Sequence, residues 1–459
     1  MHVTELKIEG LFGKFNVKVT IKDNKLILIG PNGVGKSTII NTLYFLLSRQ
    51  WGRLREINFT SASITIDGKS LTVDRDALEY WVSYSGRSSP TLSRYVERLR
   101  ERSALEEFLK TKDFDAKARI KFSEILRVPG GNIKRLQADI STEFPRDLFQ
   151  SPIRRVAEEL EKVVEDRVLF LPTYRRIERE LETIFPQVEE AYRRSIERES
   201  AFLSRRSKHY IELVSFGMQD VKGLVERRIT SVREFARNQL NNLAGSYLTD
   251  VIRGKPENFS PVLVNDLDDD GVTDILNSVD EKSLSSEDKS VIKSEISSIR
   301  SHGRGRLTLR QKYLAHFFVK LREASELIKS NDEDIRLLSS ICYKYLRPDK
   351  IVLYDDVNFS FQIVDQHFDD LDLKDLSSGE KQIISLFTHL LLDDSKSNIV
   401  VIDEPELSLS VPWQEHFLPD VLSTDRCSLL VAVTHSPFIY SNELEDFVVA
   451  TSECVSEMP

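Results

Sequence analysis

The feature that most constrains this chain is a glycine-rich segment near its start, Gly30-Pro31-Asn32-Gly33-Val34-Gly35-Lys36-Ser37, followed by Thr38. It fits G-x-x-x-x-G-K-[ST], a pattern in which glycines let backbone N–H groups wrap a phosphate at the positive end of a helix. Such a loop needs a strand before it and a helix after it. Leu26 to Ile29 reads as a buried strand, and Ser37 to Leu47 carries apolar residues at helical spacing without a breaker. Asn32, Gly33, Val34, Gly35, Lys36, Ser37 and Thr38 are therefore the candidate phosphate-lining residues. Lys36 would neutralise the terminal phosphates, and the Ser37 hydroxyl would ligate Mg²⁺.

The rest of the chain supplies an α/β frame for this loop. Val3, Leu6 and Ile8, then Phe15, Val17, Val19 and Ile21, alternate around Gly10 and Gly13 as an antiparallel pair. Asp67-Gly68 between two alternating runs, 63–66 and 69–73, predicts a hairpin with a type I′ turn. Residues 87–165 are polar and helical in tone and lead into a strand, Arg167 to Leu171, stopped by Pro172. From about 185 to 340 the chain is charged and helix-favouring without a sustained heptad, which predicts a short helical lobe rather than a long coiled coil. Strand-like runs return at 352–354, 359–363, 399–402 and 429–433.

Three further segments carry chemistry. Ile399 to Ile402 is an apolar strand ending in Asp403 and Glu404, where Asp403 can hold Mg²⁺ through water and Glu404 can polarise an attacking water as general base. Ser377-Ser378-Gly379-Glu380 precedes a helix, Ile383 to Leu391. It reads either as a second anion site at a helix N-terminus or as an N-cap made by Ser377 or Ser378. His435 follows the strand 429–433, within reach of a terminal phosphate or as a structural histidine. The fixed order of the four segments is more specific than any one of them.

In that order, and with the Leu6-Lys7-Ile8 to Phe15 element, the sequence resembles ATP-binding-cassette ATPases of the SMC, RecF and OLD group. The resemblance covers roughly residues 1–50, 165–180 and 350–445. It implies an α/β fold of the ABC type: a P-loop ATPase head with a mixed sheet, helices and an antiparallel β layer, interrupted by a helical insertion. The expected division is 1–184 for the first part of the head, 185–340 for the insertion and 341–459 for the second part. The resemblance also implies ATP and Mg²⁺ as ligands, with metal contacts at Ser37 and Asp403 and with Lys36, Glu404 and His435 in catalysis. Ser377, Ser378, Gly379 and Glu380 would form the signature that completes a site in a second subunit packed head to tail. Ser378 stands where the usual signature has glycine, and Glu380 stands where transporters carry glutamine.

The segment Glu404 to Gln414, with Ser410 where many relatives have histidine, and the segment Leu171 to Glu178 resemble ATPase subunits of bacterial antiphage systems of the PARIS and Septu or retron-Septu kinds. That likeness implies an oligomeric sensor and scaffold that controls a separate effector nuclease, Toprim-type, or HNH in the Septu alternative, and answers to a phage-encoded trigger. Only about two dozen residues follow His435, so a nuclease domain is expected on another polypeptide. The competing expectations are a RecF-like or SMC-like repair ATPase that loads on DNA and a scaffold that traps ATP with little turnover. Arg175 or Arg176 serves either as a phosphate or interface contact or as a solvated pair.

Composition bounds these readings. A chain of 459 residues with 40% hydrophobic and 30% charged residues has ample material for two or three packed units. No stretch reaches the roughly 18 apolar residues of a membrane span, and the start at Met1 lacks a secretory pattern. Three dispersed cysteines argue against a disulfide framework or zinc site and for a reducing, cytoplasmic setting. The net charge of −9 leaves DNA binding open, because a local basic face is compatible with it. Arg205, Arg206, Lys208, Arg227, Arg228, Arg304 and Arg306 are interleaved with acids, as on a solvated helical face.

Overall fold

The computed structural model describes residues 1–85, 90–102, 104–111, 113–143, 151–172, 209–213, 218–259, 269–277, 279, 284–301 and 307–458. The chain packs as two compact units, Met1–Leu213 with Lys396–Pro459, and Val214–Ser395. The head boundary expected at 184 lies outside the described residues, as do Arg175 and Arg176.

The first unit holds two sheets. One is antiparallel in the order β13-β2-β1-β4-β5, built from β1 (Val3–Leu11), β2 (Phe15–Thr20), β4 (Ser61–Ile66), β5 (Lys69–Asp74) and β13 (Val455–Glu457). Alternation puts Leu6, Ile8, Val17, Val19, Ile64 and Val73 on its buried face. Asp67 and Gly68 both have positive φ, 50° and 78°, as the type I′ turn requires. Register slips in β1 between Ile8 and Leu11. There Gly10 has φ 64°, and a Cβ on it would lie 2.2 Å from Thr60 Oγ1, so a side chain fits neither the backbone nor the space.

The other sheet is parallel in the order β12-β3-β11-β10-β6-β7. Its strands are β3 (Lys25–Ile29), β6 (Arg167–Leu171), β7 (Tyr210–Glu212), β10 (Asn398–Asp403), β11 (Cys427–Val433) and β12 (Val448–Ala450). β10 lies between two parallel neighbours and every one of its residues is buried, which explains why it reads as an unbroken apolar run. The helix Lys36–Leu47 buries Ile39, Ile40, Leu43, Tyr44, Leu46 and Leu47. Tyr44 stacks on Phe170 with ring centroids 4.2 Å apart and donates its hydroxyl to Glu212 at 3.0 Å, tying the helix to β6 and β7. Helices between 90 and 143 form a smaller core around Phe108, Phe122 and Ile140.

The second unit is mainly helical. A 34-residue helix, Gln219–Ile252, packs against Leu309–Asn331 and against Ser378–Leu392, and Glu333–Leu346 packs on the latter. The antiparallel hairpin β8 (Lys350–Asp355) and β9 (Ser360–Asp365) completes it. Helix Leu309–Asn331 opens with a full capping box, Thr308 with Gln311.

Candidate functional site

Parallel pairing decides where the chemistry gathers. β3, β11 and β10 are adjacent, and the phosphate loop, His435 and Asp403-Glu404 follow or end these three strands at the same edge of the sheet. In open parallel sheets, this carboxyl edge is where ligands sit.

In the loop, Gly33 and Gly35 adopt φ 83° and 89°, conformations that turn successive N–H groups into one concavity. Asn32 and Gly33 are exposed, and Val34, Gly35 and Thr38 are half-buried. Lys36 is 6% exposed, and its Nζ donates to the carbonyls of Gly30 and Pro31, 2.9 Å each. Burial pushes its pKa below the usual lysine range, while the carboxylates of Glu404, Asp403 and Glu406 pull it back up. The loop thus carries a poised cation beside three acids.

The exposed Ser37 donates its hydroxyl to Asp403 Oδ1 at 3.2 Å. The pair is a set of hard oxygen donors, spaced close to the about 2.9 Å that separates neighbouring ligands of an octahedral Mg²⁺. These residues fit the ion that the phosphate loop implies. Glu404 is half-buried with φ 53°, and its main-chain N–H is fixed to Val433 O at 2.8 Å. Burial raises its pKa above the ordinary carboxylate value, with Asp403 and Glu406 adding to the rise and His435 and Lys36 opposing it. A carboxylate with that bias is suited to receive a proton from water. The His435 side chain is exposed at the same edge.

Residues that motif reading passed over shape the site. Glu406 accepts hydrogen bonds from the Thr434 hydroxyl and the His435 N–H, 2.7 Å each. Phe12, at the β1–β2 turn, is 45% exposed with φ 56°, and its ring stands 3.4 Å from where a Cβ on Gly35 would be. Its place in the turn between Gly10 and Gly13 was the available sequence signal for it.

In the second unit Ser377 caps the helix Ser378–Leu392 in a capping box with Glu380. The Glu380 side chain is buried. It accepts from Ser377 N at 2.6 Å and from Lys350 Nζ at 2.6 and 2.8 Å. Its carboxylate therefore faces β8, whereas Ser377 and Ser378 are exposed at the helix N-terminus and Gly379 is buried. Lys350 had no motif to announce it.

A glycine loop with its lysine and hydroxyl, set against an acidic pair at the edge of a parallel sheet, defines a P-loop ATPase. The chain belongs to the AAA_21 family, described as AAA domain, putative AbiEii toxin, Type IV TA system, whose model matches residues 26–441. No curated protein matches the chain. Among solved structures, it is similar to the Smc head domain with an extended coiled coil bound to the C-terminal domain of ScpA from Pyrococcus furiosus. Identity there is 14%, coverage 100% of this chain and 96% of that one, and the TM-score 0.34. The Smc head domain with a coiled coil and joint from Pyrococcus yayanosii is similar at 13% identity, with 98% and 94% covered and a TM-score of 0.29. Among the described residues, no helix is long and apolar enough to cross a membrane.

Proposed function

We propose that this ATPase hydrolyses Mg-ATP in composite sites between subunits and acts as the oligomeric sensor and scaffold of an antiphage defence complex, controlling a separate effector nuclease. The observation that carries the hydrolytic part is the meeting of Lys36, Ser37, Asp403, Glu404 and His435 at one sheet edge. Backbone N–H groups of residues 32–38 cradle the phosphates, and Lys36 transfers its ammonium from the Gly30 and Pro31 carbonyls to the terminal phosphates. Mg²⁺ held by Ser37 and Asp403 would neutralise phosphate charge. Glu404 orients a water and takes its proton; His435 contacts the phosphoryl group as it passes from ADP to that water.

Exposed Ser377 and Ser378 at a helix N-terminus support a second, anion-facing half-site offered to a neighbouring copy in a head-to-tail dimer. The test uses Glu404→Gln in phage challenge and in ATPase assays. Turnover should fall about 10²–10⁴-fold and protection should vanish, while oligomers still assemble. Strong stimulation of the wild-type ATPase by DNA, with no nuclease co-purifying, would favour loading on DNA instead.

A further inference from the structure

The loop after β10 and the loop after β11 are joined by a polar strut that neither phosphate binding nor proton abstraction requires. Both carboxylate oxygens of Glu406 are engaged by one loop. Oε1 accepts the His435 N–H and Oε2 accepts the Thr434 hydroxyl, both at 2.7 Å. Thr434 is fully buried, and its Oγ1 in turn accepts the Ser436 N–H at 3.0 Å. Ser436 donates its hydroxyl to Gln414 Oε1 at 2.6 Å, and Gln414, 8% exposed, donates from Nε2 to Leu409 O at 2.9 Å. The segment after β10 is thus tied to residues 434–436 directly at Glu406 and, at Leu409, through the Gln414 side chain.

We propose that Glu406 is a positioning residue that sets the main chain of Thr434 and His435, and thereby aims the exposed His435 ring at the phosphoryl group. The inference rests on the ATPase reading above. Its physical reason is placement: His435 follows β11 and its side chain is exposed, so the backbone beneath it determines where the ring points. The charge of Glu406 is not needed for this. A glutamine in its place accepts the His435 N–H through its carbonyl and donates to Thr434 Oγ1 through its amide.

The test compares Glu406→Ala, Glu406→Gln and His435→Ala. Glu406→Ala should lower kcat about ten- to a hundredfold, as expected for a misplaced catalytic contact, with KM and the Kd for Mg-ATPγS within about threefold of wild type. Glu406→Gln should recover kcat to within about threefold of wild type. Glu406→Ala should add nothing in the His435→Ala background, because both act through one group. Amide hydrogen exchange across 434–436 in nucleotide-free protein reads the contact independently of turnover; it should speed up in Glu406→Ala and stay slow in Glu406→Gln. A chain that hydrolyses no ATP would remove the ATPase reading while exchange still decides on the clamp. Unchanged exchange in Glu406→Ala, a rise in KM without loss of kcat, or additivity with His435→Ala overturns the proposal.

Discussion

Substituting Lys36 by methionine keeps most of the side-chain length while deleting the ammonium. Lys36 is 6% exposed and faces three carboxylates, so its charge acts in a partly desolvated setting. A charge-assisted contact of this kind contributes about 1.5–3 kcal/mol, equivalent to about 10- to 150-fold in Kd. The same ammonium donates to two carbonyls, Gly30 O and Pro31 O, bonds that contact with phosphate must replace. The net loss should therefore fall in the lower half of that range, about 10- to 50-fold. Calorimetric titration of Mg-ATPγS into wild type and Lys36→Met measures it directly. Arginine is not a conservative rescue, because its planar fork does not replace a compact ammonium inside a tight loop. A Kd within twofold of wild type, in a variant that unfolds cooperatively at the wild-type temperature, would refute the assignment of Lys36 to the phosphates.

Two predictions concern the second unit. Lys350→Ala leaves the buried Glu380 carboxylate with only the Ser377 N–H, and should destabilise the protein by about 3 kcal/mol in urea titration, with partial recovery on adding Glu380→Gln. Burial opposes a charged His389, but its hydrogen bond to Asp220 and the nearby Asp393 carboxylate outweigh burial and raise its pKa, while the same His389 contact holds Asp220 below its usual range against its own burial. The His389 contribution is complete below its unfolded value of about 6.5 and is lost as pH rises through the folded value; that of Asp220 is present above about 3.9 and is lost on acidification. Wild type should consequently lose more stability than His389→Gln between about pH 6 and 9, and parallel pH profiles for the two would refute the pairing.

The individual elements of the site were legible because each is encoded locally. Gly33 and Gly35 mark positive φ, the run Ile399 to Ile402 marks a strand buried on both faces, and Asp67-Gly68 marks its own turn. The serines before a helical run marked a cap at Ser377 or Ser378, and the structure places it at Ser377. The chain does not announce which strand lies beside which. β11 enters between β3 and β10 although it follows both in sequence, and Ser37 meets Asp403 across 366 positions.

What the sequence by itself determined is the set of chemical groups and their immediate backbone: a phosphate loop on a helix, an acidic pair on a strand end, a histidine after the next strand. Only the tertiary structure decided which charges face one another. Motif spacing does not reveal that Glu380 turns to Lys350, or that Glu406 spends both oxygens on Thr434 and His435. The reason is that a carboxylate wholly or partly withdrawn from water takes whichever donor the packing of remote elements brings within hydrogen-bond reach, and no local pattern records that donor.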